Sequence, residues 1–135
     1  MSDINIFPVI AATIISFIVG SVWHGPLFGK QWMALSGFTE DRMKKMPLSA
    51  SQAMVLGFIS TLVLGYVISY FVHALGVIAI SGALILGLWV WVGFILTTLA
   101  NTVLWEGRPP KLFVFNLAYA LINIWIMTVV LTLWQ

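Results

Sequence analysis

The chain has 135 residues, 61% of them hydrophobic and only 7% charged. Soluble domains carry about 25% charged residues and expose about half of their residues to water, so a soluble fold is excluded and the solvent is lipid. Zero cysteines exclude disulfides, thiolate metal sites and a cysteine nucleophile, and a scattered net charge of +2 excludes nucleic-acid binding.

The first element follows from the spacing of charges. Asp3 and Lys30 bracket 26 residues without a formal charge. A bilayer core about 30 Å thick needs about 20 apolar residues in a helix, which predicts a first span over about 5–25. Only Met-Ser-Asp precedes that span. It holds neither a basic n-region nor a cleavage motif, so the span is expected to be retained. Ala12, Ser16, Gly20 and His24 recur along it at spacing four, which keeps them near one face.

The connection over about 26–50 carries Lys30, Arg42, Lys44 and Lys45. "PLFGKQWMALSG" predicts a short helix, with Pro26 in its first turn and Gly37 at its end. Thr39 is a candidate N-cap for a further turn, Pro47 breaks the chain, and Ser49 with Gln52 forms a capping-box pattern. The connection is expected to lie along the membrane surface, anchored by Phe28, Trp32 and the methionines.

Between Lys45 and Glu106 lie 60 uncharged residues. As one helix they would reach about 90 Å, so they fold back as two spans, about 51–74 and 78–101, with the turn at Gly76. The second span carries a small-residue stripe through Ala53, Gly57, Thr61, Gly65, Ser69 and His73. The third repeats it more weakly with Ala79, Ala83 and Gly87. Lipid tails are as apolar as leucine, so such stripes are expected to pack helix on helix, within the chain or in a homo-oligomer. Trp105, Glu106, Arg108 and Lys111 follow, and a fourth span covers about 112–134. The fold class is therefore all-α: a single polytopic domain with four transmembrane helices and a short interfacial helix.

All six lysines and arginines fall in the first and third connections. That side should be cytoplasmic, in a cell (inner) membrane, with both termini outside.

Candidate chemistry is sparse. His24 and His73 belong to opposite ends of their spans, which opposes a shared haem, and neither has a second metal ligand at helical spacing. No metal or cofactor is expected. A proton-coupled transporter places a carboxylate within the membrane, whereas Glu106 sits at a boundary. Asn101, Asn116 and Asn123 are the deepest strongly polar side chains, expected to bond across helices. Trp23, Trp32, Trp105 and Trp134 fall at boundaries as an aromatic belt; Trp89, Trp91 and Trp125 lie deeper.

Trp23, His24 and Lys30 should share one interfacial layer with Trp105, Glu106 and Arg108. Lys111 lies just beyond. Two roles follow: a clamp in which Glu106 bonds to the first motif, or a site where Lys30, Arg108 and Lys111 bind an anionic lipid headgroup. The leading reading is a non-enzymatic helix-bundle membrane component whose partners are lipids at its cytoplasmic face. A small transporter or channel, and a lipid- or quinone-linked enzyme, stay open as alternatives.

Two segments, "WHGPLFGKQWMALSG" (23–37) and "NTVLWEGRPPKLFVFNLAYALIN" (101–123), resemble the signature segments of a bacterial membrane-protein family, domain of unknown function 1761. The four-span layout and the length fit as well. The resemblance implies a small multipass membrane protein and supplies no activity. In that family tyrosine is common at the position of His24 and histidine near Ala120, which points away from either position as an essential catalyst.

Overall fold

Four helices in the computed structural model are long and apolar enough to cross a membrane: α1, Ile6–Leu27; α4, Ala50–Ala74, and α5, Ile80–Leu104, which divide one uncharged stretch between them; and α6, Pro110–Leu133, apolar after Lys111. Two short helices, α2 (Gly29–Ser36) and α3 (Glu40–Lys44), lie between α1 and α4. The structure describes residues 4–135, and no strand occurs among them. The Met-Ser-Asp segment, on which the retained-span expectation rests, lies outside the described residues.

Local chemistry sets the ends. The Asn5 side chain accepts from the Phe7 N–H and opens α1. Thr39 caps α3, and Ser49 with Gln52 forms the full capping box on α4, as their spacing predicts. Gly76 ends α4 at φ 64°, with the Val77 N–H donating to the Val72 carbonyl at 2.9 Å. Gly107, at φ 67°, ends α5 with a wider turn, the Arg108 N–H reaching back six residues to the Thr102 carbonyl at 2.9 Å. The six-to-one bond at Val77 needs a left-handed residue, which Gly76 supplies without a Cβ penalty.

Pro26 does not start the short helix. It lies inside a π-helical turn, Trp23–Leu27, that ends α1, and α2 begins at Gly29. Proline lacks an N–H and its ring crowds the carbonyl four residues back. The ladder widens instead, and the Phe28 N–H donates to the Trp23 carbonyl at 3.0 Å. Gly25, at φ −111° and ψ −105°, takes up the kink.

Within the bundle α6 packs along α1, α4 and α5, and α1 also packs along α4. The core is Val9 and Ala12 of α1, Ile68 and Val72 of α4, Leu86 and Val90 of α5, and Ile124, Met127 and Leu131 of α6. Small residues permit these approaches. A Cβ on Gly65 would sit 3.3 Å from Val9 Cγ1 and 3.4 Å from Met127 Sδ. Ala12, Ser16, Ser69, Ala83 and Gly87 are buried too. Two indole N–H groups fasten α5 to α6: Trp91 donates to the Leu117 carbonyl at 2.9 Å, and Trp125 to the Leu84 carbonyl at 3.0 Å.

These contacts run α1 antiparallel to α4 and α5 antiparallel to α6. The two basic connections therefore meet at one end of the bundle. His73 lies near the other, about 25 Å from the level of Gly57 at 1.5 Å per residue, with its Nδ1–H donating to the Ser69 carbonyl at 2.7 Å.

Candidate functional site

At the basic end the π-turn swings Trp23 and His24 out of the α1 ladder towards α6. His24 is fixed through Nδ1–H, which donates to the Gly20 carbonyl at 2.9 Å. Its ring then meets Tyr119 edge-on at 4.8 Å, Trp32 at 5.4 Å and Phe115 at 6.1 Å between centroids. Trp23 packs against Phe28 at 4.5 Å and Phe115 at 5.7 Å. Phe28 closes on Phe115 at 6.1 Å, perpendicular to it. Trp32 continues the cluster to Phe38 at 5.2 Å. Edge-on aromatic pairs contribute about 0.5–1.5 kcal/mol each beyond burial. The Trp23 indole N–H is enclosed without a hydrogen-bond partner, which costs about 1–3 kcal/mol.

The two signature segments therefore meet, but through aromatic rings and not through Glu106. Among the described residues Glu106 is exposed and makes no hydrogen bond or ion pair with residues 23–32. The expected clamp does not form. An exposed carboxylate keeps its hydration, and a surface ion pair would return only about 0–1 kcal/mol. Trp105 is 84% exposed and takes no part in the cluster.

Lys30, in the first turn of α2, and Lys111, in the first turn of α6, are exposed. Phe28 precedes Lys30 by two residues, and Phe115 follows Lys111 by one helical turn. Both exposed lysines are thus near in sequence to the two rings that meet. Arg108 is exposed in the α5–α6 turn at the same end.

The asparagines separate. Asn123 accepts from the Ser16 hydroxyl and joins α6 to α1 in mid-bundle. Asn116 is half-buried, and Asn101 is exposed on α5. Of the small-residue stripes, Ala12, Ser16, Gly65 and Ser69 are buried between helices. Gly20, Gly57 and Thr61 are half-buried and border a groove. No three His, Asp or Glu side chains converge among the described residues.

Sequence reasoning placed Trp23, His24 and Trp32 at this end but missed Phe115 and Tyr119 as their partners. The available signal was their spacing of four on α6, one turn beyond Lys111.

A family model described as "Protein of unknown function (DUF1761)" matches residues 7–132, and the chain belongs to that family. No curated protein and no solved structure is significantly similar to it.

Proposed function

We propose that this member of the DUF1761 family is a multipass membrane component whose basic end holds an anionic lipid headgroup at the cytoplasmic leaflet. One observation supports the reading: Phe28 packs on Phe115, and the exposed Lys30 and Lys111 lie two and four residues along the chain from those rings, with Arg108 exposed in the turn before α6. Aromatic rings at a membrane interface anchor the platform at headgroup depth. Each basic residue near an anionic surface contributes roughly 1 kcal/mol. In this reading the protein is non-enzymatic, lies in the cell membrane and keeps both termini outside.

The test is lipid retention. The full chain is extracted in mild detergent and its co-purified lipids are measured by native mass spectrometry. Alanine at Lys30, Arg108 and Lys111 together removes about 3 kcal/mol, which is about a 100-fold loss of retained phosphatidylglycerol. Retained phosphatidylethanolamine should change little. Unchanged phosphatidylglycerol would overturn the reading and leave the platform as a structural joint.

A further inference from the structure

One turn deeper than the basic rim, α1, α4 and α6 do not close on one another. They leave a groove of about 320 Å³ between Phe17, Gly20 and His24 of α1, Gly57 and Thr61 of α4, and Tyr119 of α6. Two features hold it open. Residues 50–56 of α4 are all exposed, so no other helix covers α4 there. Gly57 then faces space: a Cβ built on it would meet only Phe17 Cε2, at 3.9 Å. Gly57 and Thr61 lie seven and eleven residues into α4, or about 10–17 Å along it at 1.5 Å per residue. The groove therefore lies inside the length of α4 that is apolar enough to span a membrane.

Its polar groups are arranged with a bias. The Thr61 hydroxyl donates to the Gly57 carbonyl at 2.8 Å, and the Ser21 hydroxyl to the Phe17 carbonyl at 2.9 Å. His24 donates through Nδ1 to the Gly20 carbonyl, which in a neutral imidazole leaves Nε2 as an acceptor. Each group has its proton committed to its own helix and retains only acceptor capacity. The Tyr119 hydroxyl, lying against Gly20, is the remaining side-chain donor. No carboxylate, lysine or arginine borders the groove, and a charged ligand at this depth would be costly to desolvate.

We propose that this groove binds a neutral, hydroxyl-bearing amphiphile, an apolar chain ending in an alcohol head as in a mono- or diacylglycerol. The alcohol protons, two in a monoacylglycerol and one in a diacylglycerol, meet acceptors among Thr61, Ser21 and His24 Nε2, and a head oxygen accepts from Tyr119. The chain leaves through the open side along Phe17. A quinone or a methyl ester offers acceptors alone and would satisfy only the tyrosine. The site uses no residue of the basic rim other than the shared helix ends, so it stands whether or not anionic lipid binds there.

The experiment uses the full chain in nanodiscs and a monoacylglycerol carrying a diazirine near its glycerol. Photolabelling should map to the peptides holding Ser21 or Thr61, and monoolein should compete. Methyl oleate has the same chain but no free hydroxyl, and should compete about tenfold less well, the loss expected for one or two hydrogen bonds. Gly57→Leu fills the space and should abolish labelling. Thr61→Val keeps the shape, removes one acceptor, and should reduce the preference for monoolein by about 2–10-fold. If Gly57→Leu does not fold, Thr61→Val decides. Equal competition by methyl oleate, labels spread evenly over exposed faces, or unchanged preference in Thr61→Val would each overturn the proposal.

Discussion

Leucine at Gly87 should lower the melting temperature in detergent by about 10 °C or prevent folding. A Cβ at that position would lie 2.6 Å from Trp125 Cδ1, 3.1 Å from its Nε1 and 3.3 Å from Thr128 Oγ1. The indole cannot simply withdraw, because its N–H is bonded to the Leu84 carbonyl on the helix that carries Gly87. Room for the new side chain requires breaking that bond or moving α5 off α6. Overpacking a well-filled core costs about 1–3 kcal/mol and sometimes more, and each kcal/mol is roughly 2–4 °C or more at this size. No hydrophobic force draws the helices back together in lipid, since tails solvate them equally well. Gly65→Leu should cost less, because a Cβ there sits 3.3–3.4 Å from Val9 and Met127 and the unbranched methionine can move. Gly57→Leu should leave the melting temperature nearly unchanged. Thermal denaturation of the three variants checks the order, and equal effects at 57 and 87 would refute the assignment of Gly87 to a packed joint and Gly57 to open space.

That difference between two glycines marks the limit of what the sequence discloses. The spans were legible because a helix in lipid must be long, apolar and uncharged, and charges at 30, 45, 106 and 111 cut the chain into such lengths. Caps were legible too, because Thr39, Ser49 with Gln52, and Gly76 act through bonds to residues only a few positions away. Spacing four along α4 identified one face, but it cannot tell which part of that face has a neighbour. Gly65 meets α1 and α6, whereas Gly57 faces open space, and which part of the face is covered depends on helices distant in sequence. The same reason hid the role of Tyr119 and Phe115. Their partners are nearly a hundred residues away, brought close only by the position of α6 against α1. The Glu106 expectation failed for a related reason: a shared interfacial layer fixes depth, not contact, and Gly107 with the 2.9 Å bond from Arg108 to Thr102 sets the course of the chain there. Pro26 was misplaced because a proline in the first turn of a helix and a proline in a π-turn look alike in sequence.

Alkaline phosphatase fused after Gln135 should be active, and phosphatase fused near Lys45 inactive. The enzyme folds only where its disulfides form, so the readout is close to all-or-none. Every lysine and arginine lies in the connection over residues 28–49 or in residues 105–111, the α5–α6 turn and the first turn of α6. The antiparallel packing of α1 on α4, with Val9 and Thr13 beside Gly65 and Phe17 beside Gly57, sets the first connection at one end of the bundle. The contacts of Trp23 and His24 with Phe115 and Tyr119 set the start of α6, and with it Arg108 and Lys111, at the same end. Six basic residues therefore stand at one end and none at the other, among the described residues. Positive charge is retained on the cytoplasmic side during insertion, so the basic end is expected to face inward as a unit. An inverted bundle would have to carry both basic connections outward, and a mixed population would give intermediate activity at both fusion points. Activity at Lys45 with none at Gln135 would reverse the orientation. It would also remove the anionic leaflet from reach of Lys30, Arg108 and Lys111, and with it the physical basis for headgroup binding there.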